Sequence, residues 1–357
     1  MPASSHASSK EKLVASSTVQ PKTLPPKHSG ETSRVERPNG RKVKAMAGMS
    51  TKTDDSNDYA APAAAVKKTK RPQGCHMIFT DNVPKQQAPA ERLAIMAAMP
   101  KELEGLVLAM GPSISVQTVA MRDFYLGNIA GRPCVVVLSR IGKAAAAATT
   151  AILIETFKVT EIVFAGLAGG IHRSVQIGDI VVASSLIQHD LDARPLFDRY
   201  EVPMLGLAQF APDPALSRAL AGHAEAYLKE LSAQGGPAPS ALAAGARHPR
   251  AHLGLVATGD IFVSDPACGA EIQGRLPEAL CVEMEGAAMA QVCYEFGVPY
   301  AVMRVVSDHA NQHAKDHFAH FLEQWAGRYT CGVLLKFMAS RDQSGASRSI
   351  PEPAQPA

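Results

Sequence analysis

Three carboxylates stand close together in the run ALCVEMEGAAMAQVCYEFGVPYAVMRVVSD, Ala279 to Asp308: Glu283, Glu285 and Asp308. A carboxylate beside apolar segments is costly unless it is paired, hydrogen-bonded or working. The work open to it is proton transfer, or stabilisation of positive charge on a reacting group. Either Glu285 or Asp308 alone is most simply a helix or turn cap. Two at equivalent strand ends favour a site.

The surrounding pattern supplies the elements that would position them. Ala279 to Val282 is a short apolar run ending in Glu283-Met284-Glu285. Ala287, Ala288, Val292 and Phe296 recur near helical spacing, and Gly297 sits where a helix stop is expected. Tyr300 to Val306 reads as a buried strand that ends in Ser307-Asp308. This is a strand–helix–strand unit, and the carboxyl ends of parallel strands are where open α/β sheets bind ligands.

Upstream, Leu93 to Met99 reads as a central strand and Pro100 opens a helix, where its missing N–H costs nothing. Glu102 follows in the first turn. Its place alone is that of an ordinary acidic residue favoured by the helix dipole. Met121 to Ala130 and Pro133 to Ser139 read as paired strands, and Ala144 to Phe157 as an alanine-rich helix. Glu161 to Ala165 is a strand followed by the glycine-rich turn 166–170, where backbone N–H groups could approach a ligand through Ala168 and Gly169. Asp179 to Ser184 and Leu253 to Thr258 are further strands; Pro214 to Leu231 and about Asp316 to Met338 are helices. The long segment Gln188 to Phe210 holds Leu196, Phe197, Tyr200, Val202, Pro203 and Met204 in a loop context. Ser232 to Arg250 reads as a flexible insertion. Strands alternating with helices make one α/β domain over 91–340.

The net charge of +3 hides an asymmetry: residues 1–72 carry 14 Lys/Arg and 6 Asp/Glu, or +8, leaving −5 for the rest. Residues 1–90 are rich in Ser, Ala, Pro, Lys and Thr without periodicity and are expected to be a disordered basic tail, as are 341–357. The basic segment lacks the aromatic partners and folded face of a nucleic-acid site. Six scattered cysteines without metal-type spacing indicate reduced thiols and a cytoplasmic protein. No stretch approaches a membrane span or a signal-peptide core, so no membrane partner is expected.

Six stretches in order, IMAAMPKELEGL, LSRIGKAAAAATT, VFAGLAGGI, IGDIVVASSLIQHDLDA, GLVATGDIFV and VEMEGAAMA…VMRVVSDHAN, resemble the purine nucleoside phosphorylase/nucleosidase superfamily. Among its members the 5′-methylthioadenosine/S-adenosylhomocysteine nucleosidases are the nearest resemblance, over about residues 92–338. The resemblance implies a three-layer α/β/α sandwich with a central twisted mixed sheet, a homodimer, and no cofactor or metal. It implies hydrolysis of an N-glycosidic bond, releasing adenine and a 5-alkylthioribose. Asp308 matches the general acid at adenine N7, and Glu102 the residue that activates water. Glu285 matches the ribose-binding carboxylate, with Met284 on the sugar and Glu283 nearby. Phe262 matches the aromatic that stacks on adenine, and Val263 the backbone that reads its edge. Arg304 and Ser307 match supporting polar residues, and Ala310 and Phe318 match pocket-lining ones. The 188–210 segment resembles the part that reaches across the dimer to the neighbour's alkylthio pocket.

The chemistry fits these residue types. Breaking a ribosyl C–N bond builds positive charge on the sugar, which carboxylates stabilise, and negative charge on the purine, which a proton donor neutralises. A second carboxylate is needed only where water must be activated, which gives Glu102 a purpose. Leu167 is a departure, standing where these enzymes carry Ser or Thr. The alternatives are a nucleosidase for futalosine or adenosyl-hopane substrates, a phosphorylase, and a non-catalytic nucleoside-binding protein. MPKEL stands in place of a glycine-rich phosphate loop, which favours water over phosphate as nucleophile.

Overall fold

The computed structural model describes residues 91–233 and 247–340. The expected tails, 1–90 and 341–357, and most of the insertion after Ser232 lie outside the described residues.

One ten-stranded mixed sheet organises the domain. β1 (Leu93–Ala97) is buried at every residue, as an apolar run covered on both faces must be. It pairs in parallel with β4 (Arg132–Leu138) and β5 (Glu161–Gly170). β3 (Arg122–Ile129) and β2 (Ser115–Val119) extend that edge as antiparallel strands. β2, a polar and largely exposed edge strand, has no counterpart in the sequence reading.

On the other side of β5 the sheet rolls up. β10 (Tyr300–Asp308) runs parallel to β5, then β6 (Ile180–Gln188) antiparallel to β10, then β8 (Ala251–Thr258) and β9 (Ala279–Glu283) parallel to β6. β9 then meets β5 again, antiparallel, at Gly169↔Val282 and Gly170↔Cys281. Five strands thus close on themselves, and β7 (Gln209–Phe210) adds a short pairing to β6.

This corrects two sequence expectations. β9 and β10 are not a parallel strand–helix–strand pair: both flank β5, and they run in opposite senses. Their carboxylates meet because closure brings the carboxyl ends of β9 and β5 together. The segment 166–170 is not a turn either. It continues β5, paired with β10 from Arg304↔Gly166 to Asp308↔Gly169. The glycines serve clearance, since a β-carbon on Gly166 would lie 3.3 Å from Glu102 Oε1 and 3.5 Å from Arg304 Nη1.

Helices cover both faces, giving the three-layer α/β/α arrangement. α1 (Pro100–Ala109), α3 (Pro214–Ala233), α6 (Ala314–Phe321), a π-helical turn (Leu322–Ala326) and α7 (Gly327–Ser340) pack on one side. The sequence reading made the last three one continuous helix. α2 (Lys143–Glu155) and α5 (Gly286–Phe296) pack on the other, α2 through small residues that admit close approach to the sheet. α3 starts on Asp213, whose Oδ1 accepts the N–H groups of Ala215 and Leu216 at 2.9 and 2.8 Å. α5 stops at Gly297, in the left-handed region at φ 66°. α4 (Pro266–Arg275), unread in the sequence, packs its Ile272 with Val263 and Ala310. No described helix is long and apolar enough to cross a membrane. The described cysteines are all free thiols.

Candidate active site

A cavity of about 370 Å³ opens where β1, β5, β8, β9 and β10 end. Glu102, Glu283, Glu285, Arg304 and Asp308 line it on the polar side, with Ala168 and Gly169 at the end of β5. Met284, Phe262, Val263 and Phe318 supply apolar walls. Sequence reasoning missed Ile141, Ile261, Ala98, Met99 and Val282, which also line it.

Glu102 sits on the first turn of α1 and is 1% exposed. Its Oε2 accepts N–H groups from Ala98 (3.0 Å) and Met99 (2.8 Å), and its Oε1 accepts the Leu167 N–H (3.1 Å). Burial raises its pKa above the ordinary 4.5, against the pull of these N–H donors and of Arg304. Leu167 therefore contributes its backbone N–H, while the residue also lines the cavity and belongs to the apolar cluster shared with the α1/α7 side.

Glu283 and Glu285 are two residues apart but differ in what they have left to give. Glu283 Oε2 accepts Arg304 Nε (3.1 Å), Arg304 Nη2 (2.6 Å) and the Glu285 N–H (3.0 Å). The Gly286 N–H reaches both of its oxygens, at 3.0 and 2.8 Å, and the Thr258 hydroxyl donates to Oε1. Its acceptor capacity is used inside the protein. Among the described residues Glu285 accepts only the Gly142 N–H, at 2.9 Å, and it stands 4.0 Å from Arg304. Its carboxyl is pushed up to about 7 by burial and by the neighbouring Glu283 carboxylate. The free acceptor is thus Glu285.

Arg304, 1% exposed, is the cation among these acids. Its guanidinium lies 4.3 Å from the centre of the Phe164 ring and donates from Nη1 to the Phe164 and Met303 carbonyls at 3.3 and 3.2 Å. That leaves it few options but to face the carboxylates.

Asp308 closes β10 and is 2% exposed. The Ala310 N–H donates to Oδ1 (2.8 Å) and the Ser307 hydroxyl to Oδ2 (2.8 Å). Burial raises its pKa despite these donors. Ser307 and Ala310 are not on the cavity wall; they hold Asp308 from behind. Phe262 is 44% exposed and meets Phe318 edge to face, with ring centroids 5.7 Å apart. A planar apolar ligand fits against that pair.

Of the residues sequence reasoning did not find, Thr258 and Gly142 matter most. Thr258 Oγ1 also accepts the Ala287 N–H at 2.8 Å and so ties Glu283 to the start of α5. Gly142, at φ 100°, supplies the N–H for Glu285. Among the described residues no group of three His, Cys, Asp or Glu side chains is placed to hold a metal ion.

Two buried carboxyls whose pKa burial raises, Glu102 and Asp308, thus share one cavity with Glu285 and an aromatic wall. Residues 92–338 match the family model of the phosphorylase superfamily, and the chain belongs to that family. Within it, the chain is 36% identical over 249 residues to the 5′-methylthioadenosine/S-adenosylhomocysteine nucleosidase of Shewanella denitrificans, covering 69% of this chain and 98% of that protein. The nucleosidase of Neisseria meningitidis in complex with methylthio-immucillin-A superposes with a TM-score of 0.60 at 30% identity, over 70% of this chain and 99% of that one. That of Colwellia psychrerythraea in complex with adenine gives 0.60 at 31%, over 70% and 95%. A futalosine hydrolase of Helicobacter pylori gives 0.58 at 28%, over 71% and 98%.

Proposed function

We propose that this chain hydrolyses the N-glycosidic bond of 5′-methylthioadenosine, S-adenosylhomocysteine or both, releasing adenine and a 5-alkylthioribose. The observation that carries the reading is the convergence of Asp308, Glu102 and Glu285 in one cavity with the Phe262/Phe318 wall.

In this reading adenine lies against Phe262, with N7 toward Asp308. As the bond from C1′ to N9 breaks, its electron pair moves into the purine and the Asp308 proton passes to N7. The sugar gains oxocarbenium character, stabilised by Glu285, which also accepts from the ribose hydroxyls. Glu102 uses the lone pair its three N–H donors leave free to take a proton from water, whose oxygen bonds to C1′. Burial raises both carboxyls: it favours the protonated form of Asp308, the form that can donate to N7, and makes ionised Glu102 a stronger base.

The active unit is a cytoplasmic homodimer. In the 188–210 segment Val202 is buried at home, while Leu196 and Met204 are 82% and 90% exposed. Apolar side chains so exposed favour a partner surface, here the neighbour's alkylthio pocket.

The test is incubation with 5′-methylthioadenosine, with and without phosphate, followed by chromatography of adenine and the sugar. Adenine and free methylthioribose at the same rate in both buffers is the expected result. A strict phosphate requirement with a ribose-1-phosphate product, or cleavage of futalosine alone, would overturn it.

A further inference from the structure

Lys143 opens α2, where a cation faces the positive end of the helix dipole and is disfavoured. Its surroundings offset that. Lys143 Nζ donates to Asp190 Oδ1 at 2.7 Å and to Gln188 Oε1 at 3.2 Å. Its backbone N–H donates to Asp260 Oδ1 at 2.9 Å, and the Asp260 N–H donates to Asp190 Oδ2 at 2.9 Å. Three segments distant in sequence are thus closed into a ring: the start of α2, the end of β6 and the end of β8. The ring is tight. Gly142 is in the left-handed region, and a β-carbon on it would lie 3.2 Å from Asp260 Oδ1. A β-carbon on Gly259 would collide with the buried His189 ring. Burial works against ionised Asp190, but the Lys143 ammonium and the Asp260 N–H hold its carboxyl below the ordinary value.

The ring has a cavity residue on each side. One residue before Lys143, the Gly142 N–H fixes Glu285. Two and three residues after Asp260, Phe262 and Val263 line the opposite wall. We propose that Lys143 is a positioning residue: its ammonium, through Asp190 and Asp260, holds both the base-facing segment and the sugar-facing carboxylate in place. It acts on the reaction without touching substrate. This rests on the function proposed above, which says which half meets which part of the nucleoside.

The experiment compares wild type with Lys143→Met, which keeps the stem and the backbone bond to Asp260 but loses the charge. Adenine probes the base half alone, by calorimetry, and 5′-methylthioadenosine probes both halves, by steady-state kinetics. Lys143→Met should weaken adenine binding about tenfold and lower kcat/KM by at least as much. Lys143→Arg should recover most of both. Asp190→Asn should reproduce the defect, and the double variant should be no worse than either single one. Asp190→Asn alone decides the matter if Lys143→Met does not fold. Adenine affinity and kcat/KM both within twofold of wild type would overturn the proposal. So would a loss of activity with adenine binding unchanged, since the lysine would then serve only α2. A wild type that neither binds adenine nor releases it from methylthioadenosine would instead reject the functional reading.

Discussion

Gly169 lies so close to Asp308 that a β-carbon built on the glycine would stand 2.9 Å from the Asp308 Oδ1 oxygen and 3.1 Å from the Ala310 β-carbon. Oδ1 is the oxygen that accepts the Ala310 N–H. The glycine is therefore a condition for the acid's position, and its φ is not in the left-handed region.

Two variants separate placement from chemistry. Asp308→Asn keeps the shape but delivers no proton, so kcat should fall by roughly 10²–10⁴-fold with the melting temperature unchanged. Gly169→Ala keeps the proton but displaces it, and should lose about 10–100-fold. Steady-state kinetics on 5′-methylthioadenosine beside thermal melts checks both. Wild-type turnover in Asp308→Asn would remove Asp308 from the mechanism.

Glu285 should write its titration into the pH profile. It serves ionised, and its carboxyl is pushed up to about 7 in the free protein. kcat/KM should then fall about tenfold per pH unit below neutrality. Glu285→Gln should be slower at every pH, and the acid limb it keeps should be only that of Glu102, whose carboxyl burial also raises. The stability sign runs the other way. A carboxyl whose folded pKa is raised binds more protons folded than unfolded, so its contribution is lost as pH rises from 4.5 to about 7. The melting temperature of Glu285→Gln relative to wild type should climb across that window. A flat difference would mean that Glu285 is not held as described.

Much of this was legible in the residues because strong local signals agree with the fold. Pro100, the apolar run of β1 and the stop at Gly297 each fix an element with little tertiary help. The proposed site carboxylates were legible unequally: Glu285 and Asp308 stand at the ends of apolar strands and need a reason, whereas Glu102 has the place of an ordinary first-turn acid and gained a purpose only from the family resemblance. What escaped depends on long-range closure. The return of β9 to β5 rests on two residue pairs, Gly169↔Val282 and Gly170↔Cys281, and no local pattern announces it. Glycines 166, 169 and 170 read as a turn because their actual purpose, clearance for Glu102, Arg304, Asp308 and Val306, belongs to partners far away in sequence. Gly142, Lys143 and Thr258 were passed over for the same reason. Their partners Glu285, Asp190 and Glu283 come from other strand ends.

Arg304 should be the most costly single loss. It is buried, its guanidinium bonds Glu283 at 2.6 Å, and Glu285 is 4.0 Å away. Removing the cation leaves two buried carboxylates side by side, and an uncompensated buried charge costs about 3–5 kcal/mol. Arg304→Met, similar in length and still able to lie on Phe164, should therefore unfold at much lower urea than wild type. Adding Glu283→Gln to it removes one of the two orphaned charges and keeps an acceptor for the Gly286 N–H. The double variant should recover at least about 1 kcal/mol of the loss, because residues in one ion-pair network are non-additive. Equilibrium urea denaturation of the two singles and the double measures this directly. Additive losses would mean that Arg304 is held by its carbonyl and ring contacts and not by the acids it faces.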